Sequence, residues 1–226
     1  MRILGVDEAG RGCVIGPLVI AGVLINMDSQ SVLLDLGVKD SKLLSVQRRE
    51  NLAHKIRELA MGIKLVKLSP SEIDKVVDRK RRLHKLNRLE AQAMATIIEA
   101  LKPDIAIVDA ADVYADRFKQ HVTECLSSPV RVVSEHKADR NHPIVSAASI
   151  IAKTERDLDI KRLRSQYGDF GSGYMPDVKT KVFLETLLKK YGEYPKFVRR
   201  SWKPAKLLKA RIKLKQAKLE DNLTKA

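Results

Sequence analysis

At 226 residues and 44% apolar content, the chain is long enough for one domain with a sizeable core plus an appendage. Forty-three Lys and Arg against 28 Asp and Glu leave a net charge of +15, which points to a polyanionic partner, nucleic acid before a membrane surface. Two cysteines without metal-ligand spacing, Cys13 and Cys125, argue against a disulfide framework. Asp7 and Glu8 interrupt any N-terminal signal peptide, and the longest apolar run, 14–25, is too short to span a bilayer, so a cytoplasmic protein is expected.

In chain order, Ile3, Leu4 and Val6 form a short apolar run that predicts a buried strand over 3–7. Asp7 and Glu8 follow back to back. Neighbouring strand residues point to opposite faces, so both serve one site only if the strand ends there. Gly10 and Gly12, flanking Arg11, are read as that ending, with backbone opened for close approach. Two acids, a cation and exposed N–H groups suit a metal ion that binds a phosphate; a strand-to-turn junction with solvated charges is the plainer alternative.

A second strand is expected over 18–25, returning antiparallel to the first. The segment 43–60 reads as a helix with Ser45 as N-cap, and 63–68 as a third strand. Ser69-Pro70-Ser71-Glu72 is a capping box with proline at the first helical position. Leu86, Leu89, Ala93, Ile97 and Leu101 recur at helical steps, predicting an amphipathic helix over 84–101. Further elements are a strand over 105–109, a helix over 115–126, a strand over 130–135 and a helix over 143–166. A Gly-rich loop over 169–177, a helix over 179–191 and a basic helical tail complete the chain. Early strands followed by alternating helix and strand give an α/β sheet covered on both faces.

Asp109 closes the fourth strand and Asp139 lies just past the fifth. Sites in such sheets form at the carboxyl ends of strands, so Asp7, Glu8, Asp109 and Asp139 are expected to converge on one rim. Four carboxylates together repel and need a cation. All-oxygen ligation selects Mg²⁺ or Mn²⁺ over Zn²⁺. The alternative, one acid per strand end capping the next helix, suits Asp139 best.

Asp7-Glu8-Ala9-Gly10-Arg11-Gly12 resembles the signature of the type 2 ribonucleases H, specifically the ribonuclease HII family of the archaeal kind. The resemblance continues through Lys39-Asp40-Ser41-Lys42, Val108-Asp109, Lys137-Ala138-Asp139, the helix start 145–153, and Gly171-Ser172-Gly173-Tyr174 with Asp177. It covers the chain from Met1 to about Pro204; each motif is weak alone, but the ordered set is specific. It implies a ribonuclease H-like five-stranded mixed sheet flanked by helices, with a C-terminal helical extension. The expected division is a catalytic domain over 1–195 and a basic extension over 196–226.

The implied activity is endonucleolytic cleavage of the RNA strand of RNA/DNA hybrids and incision 5′ of ribonucleotides embedded in duplex DNA, leaving 5′-phosphate and 3′-OH ends. The resemblance makes Asp7, Glu8, Asp109 and Asp139 the catalytic, metal-binding acids, with Mg²⁺ or Mn²⁺ as cofactor. Gly10, Arg11 and Gly12 would approach the ribonucleotide, main-chain groups reading its 2′-OH, the group that separates RNA from DNA. Tyr174 would stack on the sugar at the RNA–DNA junction. Two departures stand out: Cys13 where the family usually has proline, and Met175 between Tyr174 and Pro176.

Other candidates carry open alternatives. Ser41 and Lys42 could contact a phosphate or form a plain loop. Ser149 and Lys153, near a helix start, could bind phosphate, or Ser149 could simply pack. His136 and His142 flank Asp139 without an obvious part in carboxylate–metal chemistry, and the run Arg79-Lys80-Arg81-Arg82 is read first as a solvated face. From residue 196 to 226, eleven Lys or Arg face two acids, nine of the fifteen net charges, with helical apolar spacing at Leu208 and Ile212. This tail could track a duplex, or be a solvated terminal helix. Gln216-Ala217-Lys218-Leu219 begins like a sliding-clamp peptide but lacks its aromatic pair. Because the acidic motif starts at Asp7, no preceding substrate-binding domain of the ribonuclease HIII kind is expected, and the chain is expected to act as a monomer. The rival readings are a resolvase-like metal nuclease of similar fold and a non-catalytic basic nucleic-acid-binding protein; the four acids argue against the second.

Overall fold

The computed structural model describes residues 1–38, 44–79 and 85–223, with side chains through 215. Its centre is a five-stranded mixed sheet. β1 (Arg2–Ala9) and β2 (Leu18–Asn26) pair antiparallel, and β3 (Gly62–Leu68) adds antiparallel to β2. β4 (Ile105–Asp109) pairs parallel with β1, and β5 (Arg131–Glu135) parallel with β4, giving the order β3-β2-β1-β4-β5. This is the expected architecture, a five-stranded mixed sheet with flanking helices. Every residue of β2 except Asn26 is buried, as an unbroken apolar run requires when both sheet faces are covered.

The chain divides into two compact units. The first comprises Met1–Arg11, Leu18–Leu68 and Arg81–Leu158; the second, Gly12–Pro17, Ser69–Lys80 and Asp159–Ala226. In the first unit, a 3₁₀ turn (Met27–Ser29) and α1 (Gln30–Asp35) follow β2, and α2 (Val46–Leu59) precedes β3. Ser45 caps α2 by accepting from the Arg48 amide. α4 (Lys85–Leu101), α5 (Ala115–Thr123) and the four-residue α6 (Ala138–Asn141) complete it, with α7 (Pro143–Tyr167) running on past its boundary. Ile3, Ala9, Val23, Ile25 and Ile107 pack on Leu52 and Ile56 of α2 and Ile144, Ala148 and Ile151 of α7. On the other sheet face, Gly22 lets Leu4 and Ile97 of α4 close over β2.

The second unit contains α3 (Pro70–Val77), the 168–177 loop, α8 (Val178–Tyr191) and α9 (Lys203–Leu223). The expected capping box starts α3: the Ser69 hydroxyl accepts from the Glu72 amide, and Glu72 accepts from the Ser69 amide at 2.8 Å. Val14, Ile15, Phe170, Leu184, Leu188, Val198, Leu208 and Ile212 form its core. The Val14 and Ile15 amides both donate to the Gly173 carbonyl, at 2.8 and 3.1 Å. Buried Asp74 accepts from the Arg200 and Ser201 amides, both at 2.9 Å.

Three expectations change. β1 does not stop at Asp7 but runs to Ala9, because Asp7, Glu8 and Ala9 keep their pairing with Ala21, Ile20 and Val19 of β2. α5 ends at Thr123, and α1 and α6 are too short to leave a periodic signature. Ser41, Lys42, Leu43, the segment 80–84 and the side chains of 216–219 lie outside what is described. Among the described residues, no helix is long and apolar enough to cross a membrane.

Candidate active site

The β1 pleat sorts the two adjacent acids to opposite faces. Asp7 shares its face with Gly5, over which α7 begins, and the Ser149 hydroxyl of α7 hydrogen-bonds the Asp7 carboxylate. Lys153, one turn on, donates to Ser149 at 2.8 Å. Glu8 lies on the face with α4 and feels the charge of Glu90. The parallel register pairs Val6 with Val108, so one step further Asp7 stands beside Asp109, which closes β4, two residues before β1 itself ends at Ala9.

Burial and mutual repulsion dominate the electrostatics. The Asp7 carboxyl is pushed up to about 7, chiefly by burial and then by the Asp109 charge, against the opposing pull of Ser149, the Glu8 amide and Lys153. Glu8 is raised well above the usual carboxylate range by burial and by Asp7, Glu90 and Asp109, and its buried Oε2 has no hydrogen-bond partner. Asp109 accepts from the Ala138 amide at 2.9 Å, which ties the end of β4 to the start of α6. Asp139, the next residue, is buried in the first turn of α6, close after the left-handed Lys137 (φ 59°).

Asp7, Glu8 and Asp109 are therefore brought into one interacting cluster, and Asp139 is tethered beside Asp109 through the Ala138 amide. Among the described residues, no group of three or more His, Cys, Asp or Glu side chains is placed so as to hold a metal ion by itself. The donor set nevertheless suits a hard cation: carboxylates only, short of counter-charge, with a buried oxygen unsatisfied. Mg²⁺ keeps several waters and leans on one or two carboxylates plus substrate phosphates, so it does not need an all-protein cage.

Gly10 has φ +86°, a conformation that favours glycine, and carries β1 into the Arg11 turn. Arg11 turns back to α4, donating from Nε to Glu90 at 2.9 Å and from Nη2 to Asn87 at 2.8 Å. In the second unit, Tyr174 is partly exposed, and its ring edge lies 3.7 Å from where a Cβ on Gly12 would stand. Cys13, at the position where the family usually has proline, is buried and in no disulfide. His142 pairs with Glu135 at 3.0 Å. Ser149 and Lys153 face Asp7; Ser41 and Lys42 are not described. Sequence reading missed Asn87, Glu90, Asp112 and Arg117, whose only signal was a charged or amide side chain among apolar helix positions or just past a strand.

The chain is similar to known proteins over nearly its whole length. The family model described as Ribonuclease HII matches residues 4–205. The chain is 44% identical over 221 residues to ribonuclease HII of Pyrococcus furiosus, covering 97% of this chain and 96% of that one. It superposes on the crystal structure of ribonuclease H2 from Pyrococcus horikoshii with a TM-score of 0.86 and 43% identity, covering 94% and 99% of the two chains. The ribonuclease HII solved in complex with PCNA from Archaeoglobus fulgidus gives a TM-score of 0.81 and 45% identity, covering 90% and 96%. Similarity of this depth, running from β1 through the start of α9, places the chain in the ribonuclease HII family, metal-dependent endonucleases of the type 2 ribonuclease H class.

Proposed function

We propose that the protein incises duplex nucleic acid on the 5′ side of ribonucleotides, both in RNA/DNA hybrids and at single ribonucleotides embedded in DNA, leaving 5′-phosphate and 3′-OH ends. The observation that carries this reading is the buried, mutually repelling cluster of Asp7, Glu8 and Asp109 with Asp139 tethered beside it. In this reading the four acids hold Mg²⁺ or Mn²⁺. When bound, the metal activates water and stabilises the leaving oxygen. Ser149 and Lys153 restrain the Asp7 carboxylate. Main-chain groups of Gly10, Arg11 and Gly12 reach the 2′-OH, Tyr174 stacks on the junction sugar, and Ser41 and Lys42 contact phosphate. Residues 1–195 form the catalytic part and 196–226 a basic extension that follows the duplex.

The test is a DNA duplex with one ribonucleotide, incubated with Mg²⁺ or Mn²⁺ beside an all-DNA control. Cleavage 5′ of the ribonucleotide alone is expected. Asp109→Asn should abolish turnover while leaving duplex binding intact or tighter, because a negative charge near phosphate is removed. Retention of even a tenth of wild-type turnover at saturating Mg²⁺ would remove Asp109 from the catalytic set. A second reading concerns a partner: the A. fulgidus relative was solved in complex with PCNA, and Gln216-Ala217-Lys218-Leu219 offers a partial clamp-binding peptide near the C-terminal end of this chain. Loss of clamp binding on deleting 216–226 is the expected sign.

A further inference from the structure

A chain of charged and amide groups joins the Arg11 turn to the loop after Asp109. Arg11 spends two nitrogens on α4, Nε on Glu90 and Nη2 on Asn87, one helical turn apart. Asn87 passes the link on, donating from Nδ2 to Asp112 at 2.8 Å. Asp112 also accepts from Arg117 Nε at 2.9 Å and Nη2, and from the Tyr114 amide at 3.2 Å. The side chains of Glu90 and Asp112 are fully buried. Arg117 in turn lies 4.8 Å from the centre of the Tyr114 ring.

Buried charges are costly to desolvate, and an apolar pair of similar volume often serves stability as well or better. What a hydrogen-bonded polar network adds is a single geometry. A planar guanidinium held through Nε and Nη2 by two different acceptors is fixed in position and in plane, which a lysine ammonium could not reproduce. The network spans the two segments that follow the acid-bearing strands, residues 10–11 after β1 and 110–114 after β4.

We infer that Asn87 and Glu90 of α4, backed by Asp112 and Arg117, are positioning residues that lock Arg11 and with it the peptide groups of the Gly10-Arg11 turn in the geometry that reads a ribonucleotide. This inference rests on the proposed incision at ribonucleotides. The residues touch no reacting atom; they act through Arg11.

The experiment is steady-state cleavage of a lone-ribonucleotide duplex by wild type, Asn87→Ala, Arg11→Ala and the double variant, with thermal unfolding of each. Asn87→Ala should lower kcat about tenfold, the worth of one hydrogen bond to a charged group, with KM changed by less than about twofold. In the Arg11→Ala background, Asn87→Ala should have no further effect. If the two losses multiply, or Asn87→Ala leaves kcat at wild type, the positioning role is wrong. Should Asn87→Ala not fold, Asp112→Asn takes its place, with a smaller loss that also vanishes once Arg11 is gone; a loss that persists overturns the inference. Wild type that cuts neither a ribonucleotide-containing duplex nor a hybrid would sink the functional reading itself, a result visible before any variant is compared.

Discussion

Asp7 shows what burial costs a carboxylate and what relieves it. The unfolded carboxyl ionises near 4, whereas the folded one, buried beside Asp109, holds its proton up to about 7. Between those pH values the folded state binds the extra proton, so stability falls as pH rises from about 4 to about 7, by up to about 1.4 kcal/mol per pH unit from this group. Asp7→Asn cannot ionise. In metal-free buffer its Tm should exceed that of wild type at pH 8 by several degrees, with the gap shrinking toward zero near pH 4. A gap of the same size at every pH would mean that the carboxylate's charge is not the source. Glu8 belongs to the same cluster on the opposite sheet face, where Glu90 and Arg11 are its neighbours in charge.

At the scale of elements, the contact between β1 and α7 sets where Ser149 and Lys153 stand. Gly5 lies under the first turn of α7; a Cβ there would come within 3.0 Å of the Ile144 carbonyl and the Val145 nitrogen. These are backbone atoms, so no rotamer change relieves the clash. Gly5→Ala should cost about 1–3 kcal/mol in urea unfolding by forcing the helix start away from the strand, and turnover should fall with it. A loss under about 0.5 kcal/mol would show that the helix moves freely on the sheet. Gly22 plays the matching part on the other face, where α4 approaches β2 and brings Asn87 and Glu90 with it.

At the scale of the whole molecule, the charge of +15 is concentrated toward the C-terminal end, and α9 shows how a basic helix is also a core helix. Ala205, Leu208 and Ile212 are buried in the second unit, and the Tyr194 hydroxyl donates to the Ala205 carbonyl at 3.1 Å. Lys206 is paired with Asp78 and Lys209 with Glu193, and Lys213 and Lys215 are exposed. Deleting the chain from residue 205 would strip that core as well as charge. Lys213→Ala with Lys215→Ala is the cleaner change: if both cations meet phosphates, the slope of log K against log salt should flatten by about 1.8, two contacts at about 0.9 each. Binding measured at several salt concentrations decides it, and an unchanged slope would leave the helix with a packing role alone.

Sequence by itself determined most of the fold because the signals were local. The unbroken apolar run of β2, the capping box at Ser69 and the helical spacing from Leu86 to Leu101 each fix an element without reference to the rest of the chain. It also singled out Asp7, Glu8, Asp109 and Asp139 as candidate acids, from their places beside apolar strand-like runs. What only tertiary structure decided is how those residues meet. Asp7 and Glu8 were expected where a strand stops, yet pairing with β2 continues through Ala9, so the two acids look to opposite faces and draw on different helices, Ser149 and Lys153 from α7 and Glu90 from α4. Glu90 and Asn87 were invisible in advance because their partner Arg11 lies 79 and 76 residues away in sequence, and Asp112 because it meets Asn87 across 25; no local pattern encodes a hydrogen bond over such separations. Periodicity reports which side of a helix is apolar; only the packed sheet decides which distant residue a buried polar group will find.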